Sequence, residues 1–205
     1  MNTNKQIIGI TGRKFNGKDT IANYLRDNYD YHQIAFAEPL KESCRVLFGF
    51  TEEQLYGSLK ETSDPNWYNL TPRQVFQYMG TDIMRNQMTG LSPEFEDKFW
   101  LKCLENKIKK ILSEYPNDCI VISDVRFPNE VEMIKKLGGT VIRVKRPNIE
   151  NNNTFSAHAS ENMIDELSVD YELINDTTRE ELYDKTKHII DSLDSQINHH
   201  IYFFH

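Results

Sequence analysis

The chain has 205 residues, 39% of them apolar and 27% charged, so we expect one globular domain, residues 1–205, with a substantial buried core. No apolar run approaches the ~20 residues of a membrane helix, and the first residues lack a signal peptide's apolar segment, so we expect an intracellular, cytoplasmic protein without a membrane partner. The net charge of −7 argues against a nucleic-acid partner, because sequence-independent binding to a phosphate backbone needs a basic face.

The first predicted elements are a short apolar strand at 7–10 and an amphipathic helix that begins near Lys18. The loop between them carries Gly12 and Gly17, which fit the phosphate-binding pattern G-x-x-x-x-G-K. Glycines let a backbone curl around an anion with bare N–H groups, and the N-terminus of the following helix adds partial positive charge. We therefore predict a phosphate-binding loop, and the alternative is an ordinary tight turn between strand and helix.

The pattern departs from its usual form at the eighth position, where a Ser or Thr hydroxyl would ligate Mg²⁺. This chain has Asp19 there and Thr20 one residue later, so one of the two, or the substrate phosphates with water, must hold the metal. The candidate nucleotide-binding residues are those of the loop and helix start: Gly12, Arg13, Lys14, Asn16, Gly17, Lys18, Asp19 and Thr20.

The next stretch predicts a strand at 32–37 and a helix at 38–48 with a proline in its first turn. A short helix at 51–59 is expected to open with a capping box of Thr51 and the Gln three residues later. A polar loop follows at 61–69. We find no repeat and no interdomain linker.

The stretch at 71–88 predicts a single helix that begins with a capping box at Thr71 and a proline. Apolar side chains recur on one face at three- and four-residue spacing. A polar stripe on another face is either solvated surface or a ligand-binding face, and Gly80 within it would allow close approach. The stripe recurs at four-residue spacing and consists of Arg73, Gln77, Thr81 and Arg85.

A further helix is predicted at 92–115, and Trp100 lies on its apolar face near the start. We expect Trp100 to pack in the core, and stacking on a substrate base is the alternative, because its place near the helix start leaves it close to a possible cleft. The apolar run at 119–123 predicts a strand buried on both faces, followed by Asp124 and Arg126. Because ligands lie beyond the carboxyl ends of strands in open α/β sheets, we expect Asp124 to meet Mg²⁺ and Arg126 a phosphate. The alternatives are a helix cap and a surface charge.

The remaining elements are a helix at 128–137, a strand at 140–144, a strand at 171–174 and a helix at 178–193. The polar segment at 145–162 is a candidate lid, since kinases close a mobile basic segment over the phosphates, and a plain loop is the alternative. Basic residues stand at its entry: Arg143, Lys145 and Arg146.

Alternating strands and helices predict an α/β fold with a central parallel sheet. Six segments of the chain, in this order, together resemble the phage-type deoxynucleoside monophosphate kinases. They span nearly the whole chain, and the Asp after the loop lysine is typical of that family. The segments are GRKFNGKDT (12–20), FAEPLK (36–41), RQVFQYMGTDIMR (73–85), SDVRFPNE (123–130), the GG-x-VIRVKRP run (138–147) and HASE (158–161).

The resemblance implies a three-layer fold of the P-loop NTPase type, like that of nucleoside monophosphate kinases. It implies a helical acceptor-binding region at about 48–115 and a lid at about 145–162. The implied activity is transfer of the γ-phosphoryl group of ATP, with Mg²⁺, to a deoxynucleoside 5′-monophosphate, giving the diphosphate for DNA synthesis. A viral member would act in the host cytoplasm, and the accepted bases and a homodimeric state are left open.

The resemblance implies that residues 16–20 hold the ATP phosphates. It also implies an acceptor site, formed by a second set of residues. Phosphoryl transfer to this acceptor needs no general base, because a phosphomonoester with a second pKa of about 6 is already a dianion at pH 7. The acceptor-site set is Phe36, Ala37, Lys41, Arg73, Gln77, Thr81, Arg85, Arg126, Glu130, His158 and Ser160, with Trp100 as a candidate beside it.

The reaction requires two anions to be held in line, with their charge neutralised and water excluded. We assign Lys18 to the β- and γ-phosphates, and Thr20 with Asp124 to the metal. The acceptor phosphate is assigned to Arg85 and Arg126, and transition-state charge to Arg143 or Arg146.

Two alternatives are carried beside this interpretation. Animal-type phosphomevalonate kinase shares the Gly-Lys-Asp loop and a Ser-Asp-x-Arg segment but lacks the Gly-Thr-Asp helix in this form. A non-catalytic GTPase-type switch would need an Asn-Lys-x-Asp signature and a glycine three residues after Asp124, where this chain has Phe127.

Overall fold

The computed structural model describes residues 6–95, 98–147 and 163–202. The chain forms two compact units: unit 1 comprises Met1–Ala35 and Ile108–His205, and unit 2 comprises Phe36–Lys107. No helix in the described part of the chain is long and apolar enough to cross a membrane.

Unit 1 contains a five-stranded sheet in which every pairing is parallel. The strand order is β2-β3-β1-β4-β5, so the first strand of the chain lies in the middle of the sheet. This arrangement confirms the predicted α/β fold with a central parallel sheet. The strands are β1 (Ile7–Thr11), β2 (His32–Ile34), β3 (Ile120–Val125), β4 (Thr140–Lys145) and β5 (Tyr171–Ile174).

The α-helices of the described residues lie between and after these strands. Turns of 3-10 helix occur at Ser58–Glu61, Pro65–Trp67, Gln87–Gly90, Pro93–Phe95 and Met163–Glu166. The α-helices are α1 (Lys18–Tyr29), α2 (Glu38–Phe48), α3 (Glu52–Leu55), α4 (Pro72–Gln77), α5 (Phe99–Glu114), α6 (Pro128–Lys136) and α7 (Arg179–Tyr202).

Helices cover both faces of the sheet, because side chains of a strand point alternately to its two sides. Ile8 and Ile10 of β1 share one apolar cluster with Leu25 of α1 and Leu182 of α7. Gly9, between the two isoleucines, faces the other side, where a Cβ would lie 2.6 Å from Cδ1 of Ile134 in α6. Unit 1 therefore has the three layers that the P-loop fold requires.

Several predicted boundaries are corrected by the structure. The strand predicted at 32–37 ends at Ile34, and the helix predicted at 92–115 begins as α5 only at Phe99. β3 continues to Val125 because Val125 pairs with Thr11 across a register shift in β1, so the strand includes Asp124. The last helix extends past the predicted 193.

Unit 2 has its own apolar core, built from α2, α3, α4 and α5. Leu40, Cys44, Leu55 and Val75 are buried there together with Trp100. Burial raises the pKa of the Cys44 thiol to about 11, so this cysteine is a neutral core side chain.

The helix predicted at 71–88 is not α-helical throughout. Its capping box is present, since Gln74 N donates to Thr71 Oγ1 (3.2 Å) and Gln74 Oε1 accepts from Thr71 N (2.8 Å). After Gln77 the chain continues as a π-helix over Tyr78–Asn86. The indole Nε1 of Trp100 donates to the Gly80 carbonyl (2.9 Å), and a side chain that takes a mid-helix carbonyl is a known cause of such a departure.

Candidate functional site

The predicted phosphate loop lies between β1 and α1, at the carboxyl edge of the parallel sheet. Both of its glycines have positive φ: 145° at Gly12 and 104° at Gly17, which is the residue before α1. A Cβ at Gly12 would lie 2.4 Å from the Val144 carbonyl oxygen, and a Cβ at Gly17 would lie 2.7 Å from Nδ2 of Asn175. Glycine is therefore required at both positions by conformation and by space.

Lys18 is the first residue of α1, and its side chain turns back over the loop. Its Nζ donates to the Arg13 carbonyl at 3.0 Å, and the backbone N–H of Asn16 donates to the same oxygen at 3.2 Å. The ammonium group is thus held at the loop beside the helix N-terminus, where an anion is stabilised. This geometry suits the assignment of Lys18 to phosphate.

Beneath the loop, two asparagine side chains connect it to the ends of β4 and β5. Asn16 is buried, and its Nδ2 donates to the Val144 carbonyl at 2.9 Å. Asn175, the residue after β5, donates from its own Nδ2 to the Asn16 carbonyl at 2.9 Å. Its backbone N–H donates to the Lys145 carbonyl at 2.7 Å.

The outer side chains of the loop are more exposed. Arg13 forms an ion pair with Asp165, with 2.5 Å between its Nη2 and the carboxylate oxygen. Lys14 lies over the ring of exposed Phe15, with Nζ 5.0 Å from the centroid. Asp19 points to solvent and Thr20 is half-buried.

The two predicted metal-binding positions offer oxygen ligands of the kind Mg²⁺ prefers. Asp124 is half-buried near the carboxyl end of β3, next to the β1 end from which the loop departs. It lies within the strand rather than after it, which corrects the predicted boundary. The Thr20 hydroxyl and the Asp124 carboxylate suit an ion whose other ligands are phosphates and water. Among the described residues, no group of three His, Cys, Asp or Glu side chains could hold a metal ion.

Arg126 follows β3 directly and is exposed at the same edge of the sheet. Glu130, assigned to the acceptor site, is only 4% exposed. Its Oε2 accepts from the backbone N–H groups of Arg126 (2.7 Å) and Phe127 (3.2 Å), ahead of α6. These bonds give Glu130 a capping role and fix the backbone that carries Arg126.

Arg143 lies in β4, as the predicted strand at 140–144 requires, and is 6% exposed. Its guanidinium donates to Glu172 (2.7 Å) and to the Leu167 carbonyl. Bonds from Lys145 and from Arg143 hold the pKa of the Glu172 carboxyl below its ordinary value. Arg143 is therefore a structural cation, and Arg146, exposed one residue beyond β4, is the remaining candidate for transition-state charge.

In unit 2, the predicted polar stripe follows α4 into the π-helix. Gln77 and Thr81 are exposed, while Arg85 is half-buried. Arg73 pairs with Glu61, with 2.6 Å between its Nε and the carboxylate. Elsewhere in the acceptor-site set, Ala37 precedes α2, Phe36 is buried, and Nζ of Lys41 lies 4.2 Å from the ring centroid of Tyr56.

Trp100 is 9% exposed within the core of unit 2, and its indole N–H donates to the Gly80 carbonyl. The buried indole favours core packing, as expected from the sequence, over base stacking. Gly80 itself is close to the side chain of Leu40, because a Cβ there would lie 2.7 Å from Leu40 Cδ2. The close approach that Gly80 allows is to a neighbouring helix.

Two predicted acceptor-site residues, His158 and Ser160, and nearly all of the predicted lid lie outside the described residues. Sequence reasoning missed Asn175 and Asp165, both of which contact the loop. A signal for Asn175 existed, because it follows a strand at the carboxyl edge where ligands bind. Asp165 carries no such signal.

Comparison with known proteins gives consistent similarities. A family model described as deoxynucleotide monophosphate kinase matches residues 47–186. A protein of Acanthamoeba polyphaga mimivirus, assigned as a deoxynucleotide monophosphate kinase, is 38% identical over 94% of this chain and 99% of its own length. The deoxynucleotide monophosphate kinase of Enterobacteria phage T4 is 30% identical over 92% of this chain and 100% of its own length. Among solved structures, TT1252 from Thermus thermophilus has a TM-score of 0.52 at 18% identity, covering 93% of this chain and 98% of its own, which shows a shared fold.

Proposed function

This chain belongs to the deoxynucleotide monophosphate kinase family, and we propose that its glycine loop and its arginines carry that family's reaction. It is an ATP-dependent kinase that transfers the γ-phosphoryl group to deoxynucleoside 5′-monophosphates. The observation that carries the residue assignment is the loop geometry: two glycines with positive φ at the start of α1, with the Lys18 ammonium held beside them.

The donor half of the site lies in this loop. We assign residues 16–20 to the ATP phosphates. The backbone N–H groups of 17–20 lie at the start of α1, the Asn16 N–H donates to the Arg13 carbonyl, and Lys18 supplies a full positive charge for the β- and γ-phosphates. Thr20 and Asp124 would hold Mg²⁺ or its waters. When bound, this ion would neutralise charge on the phosphates of ATP.

The acceptor half depends on guanidinium groups. The monophosphate arrives as a dianion at pH 7, so the protein must offset charge and fix geometry, and it need not remove a proton. We assign the acceptor phosphate to Arg85 and Arg126, and the nucleoside to the face that carries Gln77 and Thr81. Lys41, Arg73, Phe36 and Ala37 belong to the same proposed set. Arg146 enters the segment that we propose as the lid, and would meet charge on the transferring group.

The test is a coupled assay of ADP release with ATP and each deoxynucleoside monophosphate, with phosphomevalonate as the control acceptor. We expect turnover with at least one deoxynucleotide and none with phosphomevalonate. Lys18→Ala should lower kcat by about 100-fold or more with the fold intact, because a charge that stabilises the transition state is lost.

Lys136→Ala is the matched control, since Lys136 pairs with exposed Glu132 on the surface of α6, away from the loop. It should leave turnover within twofold. Near-normal phosphoryl transfer by Lys18→Ala would overturn the loop assignment, and turnover of phosphomevalonate alone would overturn the acceptor class.

Because relatives occur in phages and a giant virus, we further propose the host cytoplasm as the place of action.

A further inference from the structure

Asn175 lies directly after β5, and its side chain contacts the phosphate loop from below. We propose that Asn175 is a positioning residue that directs the Gly17 backbone N–H toward the ATP phosphates. This inference rests on the proposed function of the loop. It adds a residue that has no place in the loop motif and stands about 160 residues away from it in the sequence.

The peptide group between Asn16 and Gly17 connects the Asn175 side chain to the phosphate site. Nδ2 of Asn175 donates to the Asn16 carbonyl at 2.9 Å, so this oxygen points toward the sheet. The carbonyl of Asn16 and the N–H of Gly17 belong to the same planar trans peptide, and in such a group the two bonds point in opposite directions. Holding the carbonyl inward therefore holds the Gly17 N–H outward, on the side where the loop binds an anion.

Asn175 is itself held in place by burial and by a backbone hydrogen bond. It is 9% exposed, and its backbone N–H donates to the Lys145 carbonyl at 2.7 Å, at the end of β4. Gly17 leaves the space that the amide occupies, because a Cβ there would lie 2.7 Å from Nδ2. A donor with so little freedom orients its acceptor without a further entropy cost on ligand binding.

Loss of the Asn175 amide donor should change the orientation of this peptide group. The Asn16 carbonyl would then be a buried acceptor without the Asn175 amide, which is unfavourable. Rotation of the peptide would return the oxygen to water and turn it toward the phosphate site. There it would repel an anion, and the Gly17 N–H would be turned away. The loss should therefore fall on phosphate binding, and the deoxynucleoside monophosphate should bind as before.

The experiment compares Asn175→Asp and Asn175→Ala with the wild type. Asn175→Ala removes the donor without adding charge and is the deciding variant. Asn175→Asp keeps the shape but also adds a negative charge beside the loop, so a loss in the aspartate variant counts only if the alanine variant shows it too. Affinity for inorganic tripolyphosphate and for ATP is measured by calorimetry, and KM for each substrate by the coupled assay. We expect both variants to bind tripolyphosphate and ATP about tenfold or more weakly, with the acceptor KM within twofold.

Gln6→Glu is the matched control. Gln6 is also buried, and its Nε2 donates to Asp194 (2.7 Å) ahead of the amino end of β1, away from the loop. It should lower the melting temperature without changing tripolyphosphate affinity.

Three results would overturn the proposal. One is folded Asn175 variants that bind tripolyphosphate as the wild type does. Another is an equal loss of tripolyphosphate affinity in Gln6→Glu, which would show a general effect of stability. The third is weaker ATP binding with unchanged tripolyphosphate binding, which would place Asn175 at the base or sugar. A wild type that binds tripolyphosphate but phosphorylates no deoxynucleotide would instead refute the proposed function.

Discussion

Side chains in and near the phosphate loop already form hydrogen bonds and ion pairs within the protein when no ligand is bound. Asn16 and Asn175 use their amides on backbone carbonyls, and Lys18 and Arg13 contact the loop or its neighbour Asp165. Preorganisation of this kind places charge and N–H groups before the substrate arrives, so less binding energy is spent on ordering them. Arg143 differs from these residues, because its guanidinium pairs with Glu172 and the Leu167 carbonyl, which are not part of the loop.

Arg126 offers the sharpest test at the scale of a residue. It is exposed at the carboxyl edge of the sheet, and its backbone is fixed by Glu130. Arg126→Ala should reduce kcat/KM for the acceptor by about tenfold or more, because a charge-assisted bond to phosphate is lost, while the Kd of ATP stays within twofold.

Steady-state kinetics with varied acceptor, and calorimetry with ATP, measure the two effects of Arg126→Ala. Arg26→Ala is the matched control, since Arg26 forms a surface pair with Asp27 on α1. An equal loss of ATP affinity in Arg126→Ala would contradict its assignment to the acceptor.

At the scale of an element, the start of α6 and the middle of the acceptor helix show how ends and irregularities are stabilised. Both bonds accepted by Glu130 end on one oxygen, so a single carboxylate satisfies two N–H groups that precede the helix. In unit 2 the Trp100 indole takes the Gly80 carbonyl within a π-helix, a form that is often found at functional sites.

Glu130 allows the capping role to be separated from substrate binding. Glu130→Ala should lower the free energy of unfolding by about 2 kcal/mol, because the N–H groups of Arg126 and Phe127 lose a charged acceptor. Glu130→Gln keeps an acceptor oxygen and should lose less. Urea unfolding measures both variants. Glu132→Ala on the same helix is the control, and this exposed i,i+4 partner of Lys136 should change stability by less than about 0.5 kcal/mol.

The capping interpretation of Glu130 fails under one combination of results. That combination is unchanged stability in Glu130→Ala together with a raised acceptor KM. It would return the side chain to the acceptor site.

The chain forms two compact units, and each has its own apolar core. The nucleotide loop belongs to unit 1, and the helix with Gln77 and Thr81 belongs to unit 2. If the donor and acceptor are divided as proposed, each substrate should stabilise a different part of the chain.

Hydrogen exchange with each substrate alone measures this division. ATP should slow amide exchange over 12–20, and a deoxynucleoside monophosphate should slow it over 72–86, since a bound ligand suppresses local opening. GTP is the control nucleotide: a GTPase-type switch would show loop protection by GTP and not by ATP. Protection of 72–86 by ATP alone, with none in the loop, would contradict the division.

The sequence was enough to predict the order of strands and helices along the chain, the phosphate loop and the family. Its signals are local: apolar periodicity, glycines at fixed spacing, and capping boxes such as that of Thr71 and Gln74. Side-chain contacts between residues far apart in the sequence became visible only in the folded chain. Trp100 alters the helix at Gly80, Glu172 pairs with Arg143 on the neighbouring strand, and Asn175 reaches the loop from the end of β5. Each contact joins residues at least 20 positions apart, so neither periodicity nor motif spacing could reveal it.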